Sequence, residues 1–227
     1  MPEPALPPIA TVRSFDLQGP AGRLEAVLNS GQPDAAYAAL VCHPHPLGGG
    51  TMHNKVVYHA MKTLHGFGFP VLRFNFRGTG RSEGTHDDGR GEHDDVCAAL
   101  DWLEQEFHLP ILLAGFSFGA NVAMSACCND ARVRGMLALG IPVLADGRSY
   151  EYSYLPACRQ PKLFVSGDKD QYGPVDAVTK IVATAAEPKK LVWIKDADHF
   201  FAGKLDTLQA TLRDWLTENL AQKSFGA

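Results

Sequence analysis

The sequence predicts an α/β protein built on a mostly parallel, eight-stranded sheet with helices on both faces, and three observations lead there. Apolar runs of strand length alternate with longer segments of helical spacing through most of the chain. Several of these runs are continuously apolar, as strands covered on both faces are. With 227 residues and 45% hydrophobic content, the chain suits one domain with a sizeable core.

Residues 1–10 are rich in proline and read as a flexible arm, leaving 11–227 as a single domain. Residues 11–17 and 23–28 flank Gln18-Gly19-Pro20-Ala21-Gly22, so they form an antiparallel hairpin at the start of the sheet. Six further strands fall at 37–42, 71–76, 111–116, 134–140, 162–166 and 190–195. Helices are expected near 54–66, 92–107, 119–128, 176–186 and 205–221. About twenty residues separate Val143 from Pro161, too few for a cap domain. Residues 146–155 make at most a short flap, whose tyrosines Tyr150, Tyr152 and Tyr154 either line a pocket or cover the core edge.

Twenty-five acidic residues against 21 basic ones give a net charge of −4, which leaves no basic footprint for nucleic acid. The apolar runs are too short to cross a bilayer, and the N-terminus lacks the basic and apolar regions of a secretion signal. Five cysteines, two of them adjacent at Cys127 and Cys128, do not make a disulfide framework, and reduced thiols fit a cytoplasmic protein. The expected partner is a small molecule, with neither nucleic acid nor membrane involved, and the oligomeric state stays open.

Chemistry enters with Gly115-Phe116-Ser117-Phe118-Gly119, which directly follows the apolar run Ile111-Leu112-Leu113-Ala114 and precedes a segment rich in small helix formers. This is the sequence form of a nucleophile elbow: a serine on a sharp, strained strand-to-helix turn, with glycines clearing the Cβ atoms that would collide. A serine is a weak nucleophile until a base takes its proton. The chain order that goes with this elbow is serine, then Asp or Glu, then histidine. Only His199 follows Ser117; the other eight histidines precede it. For the carboxylate, Asp170 sits just past the strand at 162–166 and is favoured over Asp168, a turn residue suited to bonding backbone, and over Asp196 and Asp198, which abut the histidine. An oxyanion hole needs one N–H from the residue after the nucleophile, Phe118, and another from the loop His43-Pro44-His45-Pro46-Leu47-Gly48-Gly49-Gly50. Prolines have no N–H, which narrows that second donor to His45, preferred, or Leu47.

Taken together with Phe76-Arg77-Gly78-Thr79-Gly80-Arg81-Ser82-Glu83-Gly84, the stretch from Gly167 to Pro174, and Asp198-His199-Phe200-Phe201, these motifs span most of the chain. The whole resembles the α/β-hydrolase superfamily, in its small lidless dienelactone-hydrolase-like and serine-aminopeptidase-like members. Two departures stand out: dienelactone hydrolases use cysteine where this chain has Ser117, and His-Pro-His-Pro replaces the commoner His-Gly. The resemblance implies an α/β-hydrolase fold without a cap domain. It also implies a serine hydrolase that cleaves small carboxylic esters through an acyl-enzyme, with Ser117, Asp170 and His199 catalytic and no cofactor or metal. A thioesterase or peptidase would use the same residues, and a non-catalytic scaffold could keep the fold. A metal site at His43 and His45, or at His86-Asp87-Asp88 with His93-Asp94-Asp95, ranks lower, because prolines interrupt the first pair and the second reads as a polar loop leading into a helix.

Overall fold

The computed structural model describes residues 11–145 and 147–221; the arm expected over 1–10 lies outside them. β1 (Val12–Gly19) and β2 (Gly22–Asn29) form the expected antiparallel hairpin. There follow β3 (Ala38–Cys42), α1 (Lys55–His65), β4 (Val71–Phe74), α2 (Arg90–Phe107), β5 (Ile111–Phe116), α3 (Phe118–Cys127) and β6 (Val133–Leu139). Where a short flap was expected, β7 (Leu144–Ala145) and β8 (Arg148–Ser149) make a miniature antiparallel pair. The chain then returns through β9 (Lys162–Gly167), α4 (Val175–Thr184), β10 (Lys189–Ile194) and α5 (Leu205–Ala221). The expected boundaries agree to within about two residues. β4 stops short of 76 because the Phe76 N–H is donated to the His43 ring at 2.9 Å, outside the sheet ladder.

The eight long strands pair in the order β1-β2-β4-β3-β5-β6-β9-β10. β2 runs antiparallel to β1 and β4, and every later pairing is parallel. From β3 the chain passes to β4 on one side and then crosses to β5 on the other, so the direction of winding reverses at β3. Connections leaving adjacent strand ends in opposite directions open a crevice beyond their carboxyl ends, the usual place for a ligand in an open α/β sheet.

Strand alternation sends successive side chains to opposite faces, and both faces are covered. Ala38, Leu40, Ile111 and Leu113 face one core together with Val96, Ala99, Leu100 and Leu103 of α2, at helical spacing i, i+3, i+4, i+7. Ala39, Val41, Leu112 and Ala114 face the other, where α1 supplies Val56, Val57, Ala60 and Leu64 and α5 supplies Leu208, Leu212 and Leu216. α1 starts cleanly because the Asn54 side chain accepts the Val56 N–H at 2.9 Å.

α3 lies against the sheet more closely than any side chain would allow. A Cβ on Gly119 would sit 2.8 Å from Cys42 O and closer still to His43 O, and one on Gly115 would meet Gly119 O at 2.6 Å. Backbone cannot yield as a side-chain tip can. Gly119→Ala is expected to destabilise the fold by about 1–3 kcal/mol, the usual cost of overpacking a closed core. Thermal unfolding measures it: a Tm equal to that of the wild type would show that α3 can retreat freely.

Candidate active site

Ser117 is the N-cap of α3 and holds φ 56°, ψ −122°, a left-handed φ that a residue with a Cβ adopts only when its surroundings enforce it. The enforcement is visible. Its N–H is donated to Leu139 O on β6 at 2.9 Å, and its carbonyl accepts the N–H groups of Ala120 and Asn121 at 2.9 and 3.2 Å. The hydroxyl therefore stands above the carboxyl end of β5, next to the reversal point at β3.

His199 lies in the loop after β10, with Nε2 2.9 Å from Ser117 Oγ and Nδ1 2.8 Å from Asp170 Oδ2. The other carboxylate oxygen of Asp170 accepts the N–H groups of Tyr172 and Gly173 at 2.8 and 3.1 Å, which locks the carboxylate in the plane the imidazole needs. All three residues are buried. The imidazole is packed edge-on by Tyr172 and Phe200 and tilted against Phe116. Gly140 lies beside it at φ 53°, where a Cβ would press to 3.1 Å on the Phe116 ring that packs against the imidazole. Thus the sequence-expected trio meets. Asp168, the competing carboxylate, instead accepts the Asp196 N–H at 2.7 Å and ties the loops after β9 and β10 together, rather than bonding its own backbone. Asp198 accepts the Ala202 N–H.

Beyond β3, the His45 carbonyl accepts both Gly48 and Gly50 N–H groups at 3.1 and 3.0 Å, folding the glycine run back on itself. One expectation is corrected here. The Leu47 N–H is donated to His45 Nδ1 at 3.2 Å and its side chain is exposed, so Leu47 offers no second oxyanion donor. The His45 and Phe118 N–H groups have no acceptor among the described residues. Phe118 is the first residue of α3, so its N–H is one of the unpaired donors at the positive end of a helix. The His45 and Phe118 ring centroids lie 4.8 Å apart, so the loop after β3 packs against the first residue of α3. With Ser117, His199 and Tyr172, this loop encloses a cavity of about 150 Å³.

Residues 38–224 match the alpha/beta hydrolase domain family. The chain belongs to that family. A protein of Rickettsia prowazekii shares 39% identity over 205 residues, 87% of this chain and 86% of its own. An α/β serine hydrolase homologue from Coxiella burnetii superposes with a TM-score of 0.83 at 37% identity, over 90% of this chain and 97% of that one. A Xanthomonas campestris α/β serine hydrolase described as lidless superposes at 0.80 with 33% identity, over 95% and 97%. This hydrolase likewise shows no cap domain among the described residues: the β7–β8 pair is the only regular structure they form between β6 and β9. Among the described residues, no helix is long and apolar enough to cross a membrane.

The remaining motifs of the hydrolase have structural work. His43 is wholly buried, donates Nδ1–H to Pro44 O at 2.7 Å and accepts the Phe76 N–H on Nε2 at 2.9 Å, so the ring bridges the ends of β3 and β4 as the neutral tautomer. Both its nitrogens are committed, and among the described residues no three His, Cys, Asp or Glu side chains converge as metal ligands. In the Arg-Gly-x-Gly-x-Ser loop, Ser82 bonds Asn75 O and Glu25 N, while the Arg81 N–H and guanidinium both bond the Glu25 carboxylate, pinning the loop to β2. Arg77 forms a forked pair with the buried Asp95 of α2.

One group escaped the sequence reading. Glu92, fully buried at the start of α2, accepts the Asp87 and Gly89 N–H groups at 3.0 and 2.9 Å and lies 2.7 Å from His86 Nδ1. The His86 ring in turn contacts those of His45 and Phe118 at 4.8 and 5.6 Å, forming a buttress against both side chains. A glutamate three residues after Gly89, capping the helix that follows, was the available signal.

Burial pulls the His43 imidazole down to about 4. Burial, then the charges of Arg148 and His86, does the same to His45. A histidine whose folded value lies below its unfolded value of 6.5 takes up protons preferentially when unfolded, so its stabilising effect is full above 6.5 and is lost as pH falls toward 4. For the wholly buried His43 the loss is about 3 kcal/mol. Denaturant midpoints between pH 7 and 4 test this: stability falls steeply in the wild type and less in His43→Asn, whereas identical slopes would discount the buried ring.

Proposed function

We propose that the protein is a serine hydrolase that cleaves small carboxylic esters through an acyl-enzyme. The observation that carries this reading is the unbroken chain of contacts Ser117 Oγ, His199 Nε2, His199 Nδ1, Asp170 Oδ2, with both links under 3.0 Å, on a strained elbow. Its support also includes the family and the serine hydrolase homologues that share a third or more of its sequence.

In this mechanism Ser117 attacks the ester carbonyl while its proton passes to His199 Nε2. Asp170 holds the imidazole with Nδ1–H toward its carboxylate and stabilises the imidazolium. The negative charge that develops on the carbonyl oxygen is met by the N–H of Phe118, at the positive end of α3, and by that of His45, in the hydrogen-bonded loop after β3, so little reorganisation is needed. His199 then protonates the departing alcohol. Water, deprotonated by the same imidazole, hydrolyses the acyl-enzyme and frees Ser117.

A fluorophosphonate probe and 4-nitrophenyl acetate test this directly. The wild type is expected to label and to turn over, Ser117→Ala to do neither, and Asp170→Asn to lose about 10⁴ in kcat because the imidazole is held in the wrong tautomer. An unlabelled, inactive wild type would favour a binding scaffold, and faster turnover of thioesters or aminoacyl amides than of any ester would move the substrate class. Glu92→Gln should leave the elbow intact while loosening the His45 buttress, lowering kcat by about tenfold with little change in KM; unaltered kcat would separate that buttress from catalysis.

A further inference from the structure

A second cavity, of about 450 Å³, adjoins the one that holds Ser117 and His199. The two share His45, Arg148 and Tyr150 as a common wall, but the larger contains neither Ser117 nor His199. Its floor is one face of α3: Phe118, Asn121 and Ser125 fall at i, i+3 and i+7, which a helix brings into line. Its roof is the segment from Arg148 to Tyr154 that follows the β7–β8 turn.

The reaction chemistry fixes which part of a substrate enters. The departing oxygen must lie beside His199 Nε2, which protonates it, and the oxyanion lies at the Phe118 and His45 N–H groups. The remaining substituent on the tetrahedral carbon is the acyl carbon chain, directed away from His199. Away from His199, across His45 and Tyr150, is the larger cavity.

The lining of that cavity is distinctive. No aliphatic side chain among the described residues faces it, and Phe118 is the one side chain on its wall without a polar atom. The hydroxyls of Ser125, Ser149 and Ser153 have no protein partner among the described residues, whereas the phenol of Tyr154 is fixed on Asn121 O at 3.2 Å. Rings therefore supply the flat apolar surface, from Phe118, Tyr150 and Tyr154, and the serine hydroxyls, with Asn121 and the charged Asp88, Arg148 and Glu151, supply hydrogen-bonding sites around them. An alkyl chain there would strip water from those hydroxyls and return nothing, whereas a ring bearing hydroxyl groups satisfies both kinds of wall. The exposed apolar side chain of Phe200 lines the smaller cavity instead.

We infer that this cavity is the acyl-binding site and that it selects esters of hydroxylated aromatic acids over those of straight-chain fatty acids. The inference rests on the ester-hydrolase reading above. Its test compares 4-nitrophenyl 3-(4-hydroxyphenyl)propanoate with 4-nitrophenyl octanoate, each as kcat/KM relative to the acetate ester. The hydroxyphenyl ester is expected to lead by about tenfold or more, because a site that offers hydrogen bonds discriminates strongly against a group that cannot return them. In Ser125→Val, and separately in the exposed Ser153→Ala, the lead should shrink severalfold or reverse. Equal or better use of octanoate while acetate is cleaved overturns the acyl-site assignment and leaves the hydrolase reading standing. If no ester is cleaved and Ser117 stays unlabelled, the hydrolase reading fails and takes this inference with it.

Discussion

The site depends on a single backbone constraint, the left-handed turn at Ser117. That conformation is unfavourable for any residue with a side chain, by about 1–3 kcal/mol, and it persists only because β5, β6 and α3 grip it from three directions. The grip requires close approach, and close approach requires Gly115 and Gly119, whose missing side chains let the helix backbone rest against the carbonyls of Cys42 and His43. Sheet packing and hydroxyl placement are thus one problem. A change that relaxed the turn would lower the strain and at the same time drop the hydroxyl away from His199.

Around that turn, topology does most of the convergence. The reversal of winding at β3 leaves an opening above β3 and β5, and three loops from distant parts of the sequence end over it: the one after β3, carrying His45; the one after β9, carrying Asp170; and the one after β10, carrying His199. Each loop is then fixed by its own hydrogen bonds, through the His45 carbonyl, the outer oxygen of Asp170, and the Asp168 tie to Asp196. The side chains that meet are consequently not held by one another alone, as suits a site that must keep its geometry while its charges change.

Much of this was legible in the chain. Continuous apolar runs mark strands covered on both faces, helical spacing marks the covering helices, and the elbow motif names its serine, because each is a local property of a few neighbouring residues. The trio of Ser117, Asp170 and His199 could be chosen by chain order and by position at strand ends. Sequence preferred His45 but left Leu47 open: the deciding bond runs from the Leu47 N–H to the His45 ring, a contact set by how the loop folds back. Glu92 was passed over, and His86 was weighed only as a metal ligand, for a related reason. Their importance lies in a stack of rings contributed by two loops and a helix, and only the capping position of Glu92 left a trace in the chain. The tyrosines of the flap divide between the alternatives: Tyr152 is buried with its hydroxyl on Pro142 O, whereas Tyr150 and Tyr154 pack on the core edge and also line the larger cavity.

The β7–β8 pair is two residues per strand and forms no part of the main sheet, yet Arg148 and Ser149 sit on its second strand and help roof the larger hollow. The hollow is therefore bounded on one side by α3, which packs on the main sheet, and on the other by a segment that adds no strand to it. Exchanges at the exposed Ser149, Glu151 and Ser153 would reshape that roof while Tyr152 between them keeps the segment anchored in the core.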